Sequence, residues 1–146
     1  MKKITVALIA LSMTFGVASA AQATTTSITK LKVTATGAAE SGNTGATTGG
    51  ATGIFLLNNV RNTVCSIIKS EGLVGVTAAH IHKGAKGVDG AVVATISISR
   101  FNNGVSCVKV SHAVLAEIAM NPAGYYFNVH TKAIPSGAVR GQLVTK

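Results

Sequence analysis

The sequence is poor in acidic residues, with only Glu40, Glu71, Asp89 and Glu117, and these lie far apart in the chain. Hydrolases that work with paired carboxylates need two such groups flanking the scissile bond, so this chemistry is not supported. The glycine-rich turn at 84–90 lacks the Lys-Ser or Lys-Thr of a phosphate-binding loop, and no Ser-His-acid arrangement is present. The net charge is +9, but the basic residues are scattered singly without interleaved aromatics, and we therefore expect no nucleic-acid binding.

Long apolar runs are also scarce, and the chain has one near its start, at residues 4–17, behind two lysines. A positive start, a short apolar stretch and small residues after it are typical of a secretory signal peptide. The run is shorter than the roughly 20 residues that a membrane span needs. We therefore expect residues 1–23 to be cleaved and residues 24–146 to form one exported domain, in the periplasm or outside the cell, with no transmembrane segment.

Cysteine is limited to Cys65 and Cys107. In an oxidising compartment two cysteines without competitors are expected to pair, which would close a loop of about 43 residues and stabilise the fold by about 4 kcal/mol in the chain-entropy model. A redox pair or a pair of metal thiolates is the alternative. The absence of a Cys-x-x-Cys spacing disfavours it.

Alternation of apolar and polar residues predicts six to eight short strands separated by turns. A helix is expected after Ser111, which can act as its N-cap, and ahead of Pro122, which would end it. The Gly-, Ala- and Thr-rich segment 37–53 is either a flexible linker or a long hairpin loop, and its place between two strands favours the loop. The fold class is therefore all-β, an antiparallel sandwich or barrel of Greek-key type with one short helix. The predicted strands are 28–36, 54–58, 63–69, 76–82, 91–99, 106–110, 125–131 and 139–144.

Histidines occupy the polar positions of these strands. Successive side chains in a strand point to opposite faces, so His80 and His82 share one face while Ile81 takes the other. By the same rule His130 and Arg140 lie opposite the apolar residues of their own strands. If the apolar residues fill the core, these four side chains stand on the outside of the sheet and can cluster there.

A His-x-His pair with a third histidine predicts a transition-metal site, since neutral imidazole suits copper and zinc. The ligands would be His80, His82 and His130, and Arg140 beside the metal would attract an anion. The alternative is a hydrogen-bonded polar face of histidine, asparagine and arginine that binds no metal. The fourth histidine, His112, is expected to be an exposed residue at the start of the helix. Residues that could orient the histidine rings are Asn128, Asp89, Thr131 and Gln142.

Three stretches together resemble the CHRD (chordin-type) domain: His80–Gly84 with the glycines that follow, Tyr126–Thr131, and Pro135–Leu143. The resemblance extends from about Lys30 to the C-terminus. It implies an extracellular β-sandwich module, and in animal chordin such domains belong to an antagonist of secreted growth factors. The cysteine pair falls where exported bacterial members often carry one. This chain departs from the family pattern at Ser41-Gly42, where Val-Pro is usual, at Ala91 for proline and at Ala138 for glutamate.

A more distant similarity is to copper/zinc superoxide dismutase, which implies copper ligands at the three strand histidines and anion steering by Arg140. Counterparts of that family's bridging histidine and zinc ligands are missing, which argues against full dismutase activity. Three functions follow as hypotheses: an exported binding module with a copper site, a copper-dependent superoxide dismutase-like enzyme, or an envelope or matrix protein that binds a protein or glycan ligand. Formation of a homo-oligomer is left open.

Overall fold

The computed structural model describes residues 28–145, and the predicted signal peptide lies outside them. This part of the chain consists of nine β-strands, one α-helix and four short 3-10 turns. The fold is therefore all-β, as predicted. The elements are β1 Ile28–Thr36, β2 Gly50–Asn58, β3 Thr63–Glu71, β4 Val76–Lys83, β5 Val92–Ile96, β6 Val105–Lys109, α1 His112–Met120, β7 Tyr125–Thr131, β8 Val139–Gln142 and β9 Val144–Thr145.

The strands form one antiparallel sheet that curls into a nearly closed barrel. Their order is β5-β4-β7-β8-β1-β2-β3-β6, and β9 pairs with β1 beside β8. The two end strands β5 and β6 approach each other and almost complete the circle. In this order β4 and β7 lie across the barrel from β2 and β3, so the outward surfaces of these two halves face in opposite directions.

Of segment 37–53, residues 37–49 form a long hairpin connection, because β1 and β2 pair in register from Ile28 opposite Asn58 to Thr36 opposite Gly50. The first part of the connection carries two short 3-10 turns, Gly37–Ala39 and Ser41–Asn43. Residue 50 already belongs to β2, which is four residues longer than its alternation predicts. The first half of that strand consists largely of small Gly, Ala and Thr residues. These do not alternate between apolar and polar, so the sequence pattern does not predict a strand there.

The core fills the barrel interior and is closed by the helix. Phe55 and Phe127 pack tilted against each other with ring centroids 5.3 Å apart. The Ser111 hydroxyl accepts a hydrogen bond from the Val114 amide, so the predicted N-cap is confirmed. Leu115 and Ile118 of α1 are fully buried against the barrel.

Two further strand predictions need adjustment, and the cysteine prediction is confirmed. The strand expected at 139–144 is divided into β8, Val139–Gln142, and β9, Val144–Thr145. The strand expected at 91–99 ends at Ile96 and gives way to a 3-10 turn, Ile98–Arg100. Cys65 and Cys107 form a disulfide between directly opposed positions of β3 and β6. Within residues 28–145, the structure contains no helix that is long and apolar enough to cross a membrane.

Candidate metal centre

The outward side of β4, β7 and β8, which we call the covered face, carries the candidate site. On β4, Ala79 and Ile81 are fully buried in the core, so His80 and His82 point away from it. On β7, Phe127 and Val129 point inward and His130 points outward. Because β4 and β7 are neighbours, with His80 opposite Asn128, the three histidines meet on one surface. A β-bulge between Ile81 and His82 interrupts the pairing with β5 beside this site.

The ring nitrogens of the three histidines lie close enough to share an ion. His80 Nδ1 is 3.1 Å from His130 Nε2. One nitrogen from each of the three rings lies within 4.8 Å of the other two, and the group could hold a metal ion. Three nitrogens spaced evenly around one ion at about 2.0–2.1 Å lie about 3.5 Å from one another. The widest separation in the group therefore has to close by at most about 1.3 Å, which side-chain rotations of two rings can supply.

Backbone carbonyls fix the orientation of two of the rings. His82 Nδ1 donates to the Gly90 carbonyl at 2.9 Å, and His130 Nδ1 donates to the Pro135 carbonyl at 2.9 Å. A carbonyl can only accept, so in each neutral ring the proton is on Nδ1 and the lone pair is on Nε2. His82 Nε2 is buried and has no hydrogen-bond partner in the described part of the chain. This is the arrangement of metal-binding histidines, whose second nitrogen donates to a neighbouring acceptor.

Gly90 owes its position to a close approach of two backbone segments. A Cβ at this residue would lie 1.6 Å from the Lys83 carbonyl oxygen, so a larger residue cannot occupy the position without displacing the turn. The same turn is fixed to Tyr126, whose hydroxyl accepts a hydrogen bond from the Gly90 amide at 3.2 Å. The acceptor for His82 is therefore held from two directions.

Tyr126 links the histidines to the buried arginine. The His82 ring stacks on the Tyr126 ring with centroids 4.8 Å apart and planes 9° from parallel. The Arg140 guanidinium carbon lies 3.4 Å from the centroid of the same tyrosine ring. Because β4 and β8 flank β7 on opposite sides, the histidine and the arginine approach the tyrosine from its two faces. Such cation–π contact is strongest where water is excluded.

The structure gives Arg140 other partners than the expected anion. Its side chain is 1 % exposed, and it donates to an Asp89 carboxylate oxygen at 3.0 Å and to the carbonyls of Ala85 and Val88. Arg140 does lie on the outward side of the sheet, in register with Asn128 and His80, but the turn after β4 folds over it and buries it. Arg140 holds that turn, and with it the Gly90 acceptor of His82, in place.

Glu40, in the connection between β1 and β2, contacts the covered face through Asn128 and is not among the site residues predicted from the sequence. It is 8 % exposed, and its Oε2 accepts a hydrogen bond from Asn128 Nδ2 at 3.2 Å. Burial raises its pKa from 4.5 to about 6, while the Asn128 hydrogen bond and the charge of Arg140 lower it and the charge of Asp89 adds to the rise. The signal available in the sequence was an acid in a segment that otherwise lacks charge.

Of the four residues named as candidates for orienting the rings, none is hydrogen-bonded to a histidine in residues 28–145. Asn128 bonds to Glu40, Asp89 to Arg140 and Ser41, and Gln142 to backbone carbonyls. The Thr131 hydroxyl accepts from the Ile134 amide. Backbone carbonyls take the ring-orienting role instead, and a side-chain pattern cannot reveal these.

The environment keeps two of the histidines neutral. Burial lowers the pKa of His80, and the charges of His130 and His82 lower it further. Burial also lowers the pKa of His82, against the opposing effect of its hydrogen bond to the Gly90 carbonyl. Since both values lie below 6.5, these rings are unprotonated at neutral pH, which is the form that binds metal.

Comparison with known proteins identifies the family. The family model for the CHRD domain matches residues 31–143, which is more than half of the chain. The chain belongs to the CHRD domain family. CHRD domains are of extracellular type, and the disulfide is in keeping with an oxidising compartment. No curated protein and no solved structure shows significant similarity to the chain.

Proposed function

We propose that this CHRD protein is an exported, non-catalytic module that binds one copper ion through His80, His82 and His130. The observation that carries the proposal is the fixed direction of the ring lone pairs. Nε2 of His82 and Nε2 of His130 both carry the lone pair, because the other nitrogen of each ring donates to a backbone carbonyl. His82 Nε2 has no hydrogen-bond partner among residues 28–145, and His130 Nε2 faces His80 Nδ1 at 3.1 Å, where an ion would replace the hydrogen bond between the two rings.

The surroundings of the three rings favour a metal over an ordinary polar cluster. The buried Nε2 of His82 finds no hydrogen-bond partner within residues 28–145, and an unpaired buried acceptor costs about 1–3 kcal/mol. A bound cation removes that cost at once. The stacked Tyr126 and the Gly90 carbonyl hold His82 before the ion arrives, so little ordering entropy is lost on binding.

Copper is the metal that this donor set favours. Three neutral imidazoles without a carboxylate or thiolate suit copper, zinc and nickel better than magnesium or calcium. Among divalent first-row ions, affinity for a nitrogen site is generally highest for copper. Export, which is part of the proposal, would expose the site to metal outside the cytoplasm.

The test is a titration of metal-stripped protein with Cu²⁺, in which binding is measured by calorimetry and by the change in the visible spectrum. We expect one equivalent to bind, and His130→Ala to weaken binding by more than the roughly 10–100-fold that loss of an outer partner costs. The matched control is His112→Ala, because His112 is exposed at the start of α1 and outside the cluster.

Two results would contradict the proposal. Binding that is equally strong in the wild type and in His130→Ala would place the copper elsewhere. An equal loss in His130→Ala and His112→Ala would show nonspecific coordination by any histidine.

A further inference from the structure

The outward side of β1, β2, β3, β6 and β9, which we call the open face, differs from the covered face in that residues 28–145 leave most of its central side chains exposed. Its polar and apolar residues alternate with the core residues Leu31, Val33, Phe55 and Leu57. It lies on the opposite side of the barrel from the histidines. A partner that binds to the open face therefore does not contact the candidate metal centre.

Strand register aligns the side chains of this face in rows that cross the sheet. The central row is mostly apolar and contains Ile67, Val105 and Val144, which are 39 %, 55 % and 49 % exposed. Five strands at a spacing of about 4.8 Å make this row roughly 19 Å long. In cross-strand order the row is Val144, Lys32, Ile54, Ile67 and Val105.

Lysines surround the apolar row. Lys30 begins the neighbouring row on one side, and Lys69 ends the row Thr34-Thr52-Lys69 on the other. Lys109 lies at the far end of β6, on the same side of the sheet as Val105. All three of these lysines are exposed, as is Lys32 in the central row. The result is an apolar strip with a positive border.

The acidic residues are almost all elsewhere. Glu40 and Asp89 lie in loops that pack against the covered face, and Glu117 lies on α1, where it pairs with Lys83. Only Glu71, at the end of β3, borders the open face. The positive potential of the lysines is therefore not cancelled locally, and this half of the molecule attracts negatively charged surfaces.

We propose that the open face docks on a membrane surface that contains anionic phospholipid. Exposed isoleucine and valine side chains between lysines match an interface where acyl chains lie below a layer of negative headgroups. A soluble acidic polysaccharide would satisfy the lysines but would leave the apolar strip in water. A second copy of this chain would place lysine against lysine, so self-association through this face is disfavoured.

The experiment measures partitioning of the disulfide-bonded protein onto sonicated phosphatidylcholine vesicles with and without phosphatidylglycerol. We expect binding only to the anionic vesicles, with a loss on raising the salt concentration. Each lysine near such a surface contributes about fivefold, so Lys32→Glu with Lys69→Glu lowers partitioning by at least about 25-fold. A control with the same net charge is Lys86→Glu with Lys132→Glu, which we expect to retain most of the binding because both residues are exposed and lie outside the five strands of the open face.

The apolar strip has its own variant, Ile67→Thr with Val105→Thr, which leaves the charge unchanged and keeps β-branched side chains in the strands. We expect a clear loss of partitioning at constant salt, with an unchanged circular dichroism spectrum. The proposal is overturned if both charge-reversal pairs weaken binding equally, since that reports net charge alone. It is also overturned if the threonine variant binds as well as the wild type, or if a soluble acidic polysaccharide binds to the same lysines more tightly than the vesicles do.

Discussion

Glu40 provides a sharp test of how the covered face is built, because burying a carboxylate has a cost that depends on pH. Its pKa is raised from 4.5 to about 6, chiefly by burial. The difference of about 1.5 units corresponds to about 2 kcal/mol. A group with a raised folded-state pKa favours the folded protein most when it is protonated, so this contribution is complete below pH 4.5 and is lost as the pH rises through about 6.

Glu40→Gln removes the charge and keeps an oxygen that can accept the hydrogen bond from Asn128. We expect the variant to be more stable than the wild type by up to about 2 kcal/mol at pH 7.5. The difference should shrink as the pH falls from about 6 to 4.5. Urea unfolding of both proteins at a series of pH values measures it directly.

Other titrating groups cancel in this comparison. His80 and His82 have lowered pKa values, so their contribution to stability is lost as the pH falls below 6.5, but it is the same in both proteins. Glu71→Gln, at an exposed position, serves as a control and should leave stability unchanged at every pH. A Glu40→Gln protein that is less stable than the wild type by a constant amount from pH 4.5 to 7.5 would refute the reasoning.

Three further predictions concern the disulfide, the packing around Glu40 and the absence of turnover. Replacing Cys65 and Cys107 by serine should lower the free energy of unfolding by about 4 kcal/mol, measured by urea denaturation, because their separation of 42 residues closes a long loop. Gly137→Ala should destabilise the protein by about 1–3 kcal/mol, since its Cβ would lie 2.8 and 2.9 Å from the Glu40 oxygens, and Glu40→Ala should relieve part of that loss in a thermal melt. The copper-loaded protein should remove superoxide no faster than an equal amount of free copper in a stopped-flow assay, and a clearly higher rate would favour the enzymatic hypothesis.

Much of the fold is predictable because the chain alternates cleanly in its buried strands. Ile81 and Val129 are fully buried and their neighbours in the chain point outward, so the alternation of side chains along a strand assigns the faces correctly. The helix was identified from Ser111 and Pro122, whose effects on the backbone are local. The first half of β2 is not predictable in this way, because its small residues do not produce a contrast between an apolar and a polar face.

The site was predictable only in part, because alternation says which face a side chain occupies and not what covers that face. His80, His82 and His130 do come together, since β4 and β7 are neighbours. The burial of Arg140 depends on a turn that returns to it from 51 residues earlier in the chain. The carbonyls of Gly90 and Pro135 could not be predicted as ring acceptors, because every residue has a backbone carbonyl and the residue types do not show which one faces a histidine.

The number of imidazole ligands on bound copper tests the central claim most directly. Pulsed electron paramagnetic resonance of the protein with one equivalent of Cu²⁺ counts them through their remote nitrogens. We predict three in the wild type and in His112→Ala, and two in a variant that lacks His80, His82 or His130. One imidazole or none in the wild type, or a count that is unchanged by all three substitutions, would contradict the account.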